Sequence, residues 1–186
     1  MTQVPFESLP QRVFLDSSTL QMLQDYGGQV WENEPIPDND RIHSISDGPA
    51  TIDALRRIFF VNQRALWQFA LSANSLREVA AKGDVRYLQW AYDVLDHWQI
   101  CLEESGPPSS KGQAIGAMLR TTSFNYLGEG DRSLLLDAVT LECDAFLTCD
   151  RKLAKNSHHL LAELAILVFT PVQHWQMLEP WAKLYV

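Results

Sequence analysis

Short apolar runs, RVFL, LWQFALS, DAFLT and LAILVFT, recur along this chain and are separated by stretches with helical spacing. Runs of this kind, without polar alternation, suit strands buried on both faces, and strands linked through helices pair in parallel. The pattern predicts an α/β fold: a three-layer α/β/α sandwich with a mainly parallel central sheet. At 186 residues the length suits a single domain spanning 1–186. Ligands of such sheets bind beyond the carboxyl ends of the strands, so the residues that follow each run come first.

RVFL ends in Asp16 and Ser17, which open a helix, STLQMLQDY, stopped at Gly27-Gly28. Residues 27–49 are rich in Gly, Pro, Asn and Asp and read as a long loop, either a functional flap or a mobile insertion. TIDALRRIFFVNQ restores helical spacing, with Thr51 as its N-cap. After the LWQFALS strand, NSLREVAAKG reads as a helix ended by Gly83. Asp84 caps a longer helix with the stripe Val85, Leu88, Ala91, Leu95 and Trp98. ESGPPSSKGQ reads as a second loop, followed by a helical AIGAMLRTTSFNYL. DRSLLLDAVTLEC is a strong helix, DAFLT a strand leading into CDRKLAK, and PVQHWQMLEPWAKL a closing helix interrupted near Pro180.

Composition removes several classes. Three cysteines, Cys101, Cys143 and Cys149, form neither a disulfide framework nor a zinc cluster. The amino terminus carries no signal-type apolar core and no run is long enough to cross a bilayer, so a cytoplasmic protein without membrane contact is expected. A net charge of −8 opposes indiscriminate nucleic-acid binding, though a local basic patch can still guide phosphates.

The acids that follow the runs carry the chemistry. Asp16 and Asp150 lie at strand ends, Glu78 on the helix after FALS, and Asp131 at a helix start directly after Gly130. Topology brings all four toward one edge of one sheet. Asp137 rivals Asp131, but six residues of helix turn it roughly 240° away. Asp131 shares the inward side with Leu134, Leu135 and Ala138, whereas Asp137 is expected to meet solvent or a basic residue. Clustered carboxylates repel and partly protonate without a cation. Oxygen-only ligands with open positions suit Mg²⁺ or Mn²⁺, which would activate a water and polarise a phosphoryl oxygen. Arg132, Arg151, Lys152 and Lys155 lie beside these acids as candidate phosphate contacts.

These segments resemble the PIN-domain family. RVFLDSSTL looks like its opening strand, FALSANSLREV its strand and glutamate-bearing helix, GDRSLLLDAVTLECDAFLTCDRKL its D-x-x-L helix and T-x-D strand end, and VFTPVQHW its last strand and exit. The resemblance implies a Mg²⁺- or Mn²⁺-dependent endoribonuclease hydrolysing RNA phosphodiesters. Asp16, Glu78, Asp131 and Asp150 would be its catalytic, metal-binding quartet. Ser17 and Thr148 would be hydroxyls orienting carboxylates or water. It implies single-stranded or looped RNA as substrate, with an antitoxin protein and a second copy as candidate partners. Residues 27–49 and 101–128 are longer than in compact PIN toxins.

Plainer readings stand beside these. Asp16, Asp131 and Asp150 could each cap a helix, and Glu78 could be an exposed helix residue. His158-His159 reads as a solvated helix start, and the tryptophans as core, Trp31 in the long loop excepted. The acidic neighbours of Cys149 oppose a thiolate. A PIN-like binding module without turnover is the rival function. An aspartyl-phosphate enzyme ranks lower, because Ser18 stands where a second acid is needed and no lysine follows VFTPV.

Overall fold

The computed structural model describes residues 5–65, 67–98, 100–103 and 110–184. Its centre is a sheet of β1 (Arg12–Leu15), β2 (Gln68–Ser72), β3 (Ile100–Glu103), β4 (Ala145–Leu147) and β5 (Leu167–Phe169). The order across the sheet is β3-β2-β1-β4-β5 and every pairing is parallel. Around it lie α1 (Ser17–Asp25), α2 (Gly27–Trp31), α3 (Gly48–Ala65), α4 (Ala73–Ala81), α5 (Val85–His97), α6 (Ser110–Leu119), α7 (Glu129–Thr140), α8 (Arg151–Lys155), α9 (Ser157–Leu164) and α10 (Pro171–Leu178).

Alternate residues of each inner strand enter different cores, which is why these runs carry no polar positions. Val13, Leu15, Phe69, Leu71, Ala145 and Leu147 join the cluster shared with α1, α3 and α5. Phe14, Ala70, Phe146 and Val168 join the cluster under α6, α7 and α9. Phe14 and Phe146, register partners on β1 and β4, stack with ring centroids 5.4 Å apart. Two covered faces make the three layers expected from the sequence.

Several expectations need correction. Residues 27–49 are not one continuous loop. They form α2, then a 3-10 turn over Arg41–Ser44, and run into α3 at Gly48. Their apolar side chains hold them down: Val30 and Ile42 are buried. Trp31 stacks on Trp98 at 4.9 Å and meets Phe59 edge-on, so the one tryptophan set apart from the core belongs to it. Asp40 pins the same segment, accepting hydrogen bonds from the Tyr26 hydroxyl at 2.7 Å and the Ile42 N–H at 2.8 Å. Gly48 lets α3 begin against this turn, since a Cβ there would lie 2.2 Å from the Ile42 carbonyl oxygen. Thr51 therefore sits inside the first turn of α3 and does not cap it.

Asp84 does cap α5, accepting from the N–H groups of Arg86 and Tyr87. The buried face of that helix is Tyr87, Ala91 and Val94; Val85, at its first position, is 79% exposed. β3 went unread because it is a short edge strand: only Ile100 is fully buried, and Leu102 faces outward. Arg12 ties it down through an ion pair with Glu103. The LWQFALS reading begins at residue 66 and the ESGPPSSKGQ loop covers 104–109, positions outside the described residues. The end of that stretch opens α6. Gly83 ends the α4 region as expected, with φ +72°. After α10 the chain tightens into a 3-10 helix over Glu179–Leu184, matching the interruption expected near Pro180.

Candidate functional site

The strand order reverses direction at β1 and β4: β2 and β3 extend the sheet one way and β5 the other. In open parallel sheets such a switch point opens a crevice at the carboxyl ends. Asp16 follows β1 and Asp150 lies just beyond β4, so the two acids flank it.

Asp16 occupies the N-cap position of α1, but its carboxylate makes no capping hydrogen bond. It is buried, and one oxygen accepts the Thr148 hydroxyl at 2.6 Å and the Ser18 hydroxyl at 2.5 Å. Each hydroxyl in turn accepts a backbone N–H of the loop after β4. Cys149 donates to Ser18 Oγ at 3.0 Å and Asp150 donates to Thr148 Oγ1 at 2.9 Å. The β1–α1 and β4–α8 connections are thus one hydrogen-bonded web around the Asp16 carboxylate. Sequence reading picked out Thr148 but missed Ser18 as a carboxylate partner. The signal available was a hydroxyl two residues into a helix, a spacing that lets it fold back on its own N-cap.

Asp150 behaves as the plain reading supposed, capping α8 by accepting the Lys152 N–H at 2.7 Å. One capped oxygen leaves the carboxylate other lone pairs to offer. Asp131 is the third residue of α7 and accepts the Gly128 N–H at 3.1 Å. Glu78, on α4, lies near Ser17, whose hydroxyl favours its carboxylate form. It approaches the start of α7 so closely that a Cβ on Gly130 would lie 2.7 Å from Glu78 Oε1.

Charge coupling links these side chains. Burial raises the Asp131 carboxyl above its ordinary value, the Gly128 N–H partly offsets this, and Asp16 and Asp150 push it higher. Burial likewise raises Glu78, the Ser17 hydroxyl and Lys82 work against it, and Asp16 and Asp131 add to it. Among the described residues no three His, Cys, Asp or Glu side chains are drawn close enough to enclose a metal ion. The donor set is all oxygen, and Glu78 and Asp131 each lie near other acids. That chemistry fits a hard divalent cation that keeps most of its waters, since Mg²⁺ typically takes only one or two carboxylates directly. It does not fit a dehydrated, fully protein-enclosed ion.

Asp137 needs correction. It does not face solvent, but is buried, accepting the Ser72 hydroxyl at 2.5 Å and the Asn74 amide at 2.8 Å. The helical rotation away from Asp131 was sound; the error lay in treating the opposite face of α7 as open. That face packs on the end of β2 and the start of α4. Asp137 therefore joins α7, which carries Asp131, to α4, which carries Glu78.

The basic residues divide. Arg132 is turned into the protein, donating to the Phe124 carbonyl at 3.1 Å. Arg151, Lys152 and Lys155 are exposed on α8, with Arg151 facing Asp47 at 3.4 Å. His158 is exposed, but His159 is not simply solvated: it stacks on Phe124 and shares a hydrogen bond with the Tyr126 hydroxyl at 3.0 Å. Burial pushes the Cys149 thiol up to about 12, and the nearby Asp16 adds to this, so it is no nucleophile at neutral pH. No helix among the described residues is long and apolar enough to cross a membrane. No family model matches the chain, and no curated protein or solved structure shows a significant match to it.

Proposed function

We propose that this chain is a Mg²⁺- or Mn²⁺-dependent endoribonuclease of PIN-like type, with Asp16, Glu78, Asp131 and Asp150 as its acidic quartet. What supports this reading is placement: Asp16 and Asp150 follow neighbouring strands at the sheet's switch point, and Glu78 and Asp131 have carboxyls raised first by burial and further by nearby acids. Burying carboxylates beside other acids carries a cost, and the usual return is a bound cation.

When bound, a divalent ion would lower the pKa of an attacking water and neutralise charge on the phosphoryl oxygens. The chain's own groups prepare the place. Thr148 and Ser18 fix the orientation of Asp16, and Ser17 orients Glu78. Asp150 is held at the first turn of α8, where exposed Arg151, Lys152 and Lys155 can meet phosphates. RNA, single-stranded or looped, is the substrate that the PIN resemblance implies.

A PIN-like binding module without turnover is the second reading, favoured by the looseness of the carboxylate set. Incubating the protein with single-stranded RNA in EDTA, Mg²⁺ or Mn²⁺ separates the two. Cleavage that needs the metal and disappears in Asp16→Asn supports the enzyme. RNA binding without metal-dependent cleavage supports the module.

A further inference from the structure

A pocket of about 330 Å³ opens near Asp150, between the ends of β4 and β5. Cys149 and Arg151, both in its wall, are the immediate neighbours of Asp150. A polymer that reached Asp150 from this side would pass the opening. We propose that the pocket is a subsite for one nucleotide of single-stranded RNA, next to the phosphate that the quartet acts on. The assignment rests on the nuclease reading above and adds the path of the substrate.

Three features select that ligand. The first is charge. Arg151 and Lys155 are four apart on α8, so both reach the same rim. In a chain of net charge −8, with an acidic crevice next door, this is a local reversal of sign that an anion would find. The second is the state of Arg151. It faces Asp47, with side chains 53% and 65% exposed. So open a pair holds weakly and can be exchanged for a phosphate of higher charge density. The third is the lining. Met22, Ile45 and Val172 offer apolar surface and Gln176 an amide, a combination that suits the flat face and polar edge of a base. The volume lies at the small end of ligand pockets, the scale of a single nucleotide and far below that of a folded RNA.

The test uses the full chain and a fluorescein-labelled single-stranded RNA decamer in EDTA, read by anisotropy so that cleavage plays no part. Lys155→Ala and Arg151→Ala should each weaken binding about threefold to tenfold and lower the slope of log affinity against log salt by roughly 0.7. Asp47→Asn should tighten binding, because it releases Arg151. Asparagine also tolerates the positive φ of 60° at that position. Arg86→Ala, at an exposed position of α5, serves as the control and should change nothing. No RNA binding by the wild type overturns the subsite, as does binding that ignores Lys155→Ala and Asp47→Asn alike. The two proposals fail separately. Pocket-dependent binding without Mn²⁺-dependent cleavage rejects the nuclease and keeps the subsite. Cleavage whose KM is unmoved in Arg151→Ala and Lys155→Ala keeps the nuclease and rejects the subsite.

Discussion

Gly130→Ala separates the stability of this fold from the integrity of its site. Gly130 is the second residue of α7, and its backbone does not adopt a positive φ that alanine would resist. Alanine in a helix is favoured over glycine by about 0.5–1 kcal/mol. The added methyl would lie 2.7 Å from Glu78 Oε1, closer than a carbon and an oxygen can sit. The atom in the way is the tip of a flexible side chain, so Glu78 moves and the backbone stays. Moving it weakens the favourable approach of the Ser17 hydroxyl, a loss of up to about 1 kcal/mol at a half-exposed carboxylate. The two effects nearly cancel, and the net change in stability should stay within about 1 kcal/mol of zero. Metal affinity should not be spared, because displacing an oriented ligand or its supporting group usually costs about 10- to 100-fold. Urea titration gives the first quantity and Mn²⁺ calorimetry the second. Unchanged Mn²⁺ affinity would refute the role given to Glu78. A loss of stability above about 2 kcal/mol would refute the claim that only a side-chain tip stands in the way.

Other perturbations probe the supporting web and the charge cluster. Asp137→Ala removes the Ser72 and Asn74 hydrogen bonds to a buried carboxylate and should cost at least about 2 kcal/mol, with Asp137→Asn costing less; equal urea midpoints for wild type and Asp137→Ala would contradict this. Thr148→Val keeps the volume but strips the hydroxyl shared by Asp16 and the Asp150 N–H, and should cost about 1–3 kcal/mol by the same measure. Glu78 and Asp131 have raised values in the folded protein, so they bind protons more tightly folded than unfolded. Their contribution favours the fold below the ordinary carboxylate range and is lost as pH rises through the raised values. Without metal, Glu78→Gln/Asp131→Asn should therefore gain melting temperature over wild type toward neutral pH, a gap that closes in acid and shrinks with Mn²⁺. A gap independent of pH would sink the repulsion argument.

The sequence by itself determined the architecture and the order of the acids. Apolar runs at RVFL, LWQFALS, DAFLT and LAILVFT suit strands covered on both faces, and in the fold their neighbouring side chains enter opposite cores. Local periodicity also located α7, and with it the buried Leu134, Leu135 and Ala138. What stayed hidden depended on partners distant in sequence. Residues 27–49 look like a loop by composition, and only docking of Val30, Trp31 and Ile42 against α3 and α5 makes them structured. β3 is too short and too exposed to leave a pattern of its own. Asp137 could be rotated correctly on its helix, but the Ser72 and Asn74 it meets lie 65 and 63 residues away. The same holds for Ser18, whose hydroxyl joins Asp16 to the Cys149 amide across 131 positions. Periodicity reports how a residue faces along its own element. Which carboxylates share one crevice, and which one bolts two helices together, depends on the packing of elements on one another, and only the tertiary structure decided that.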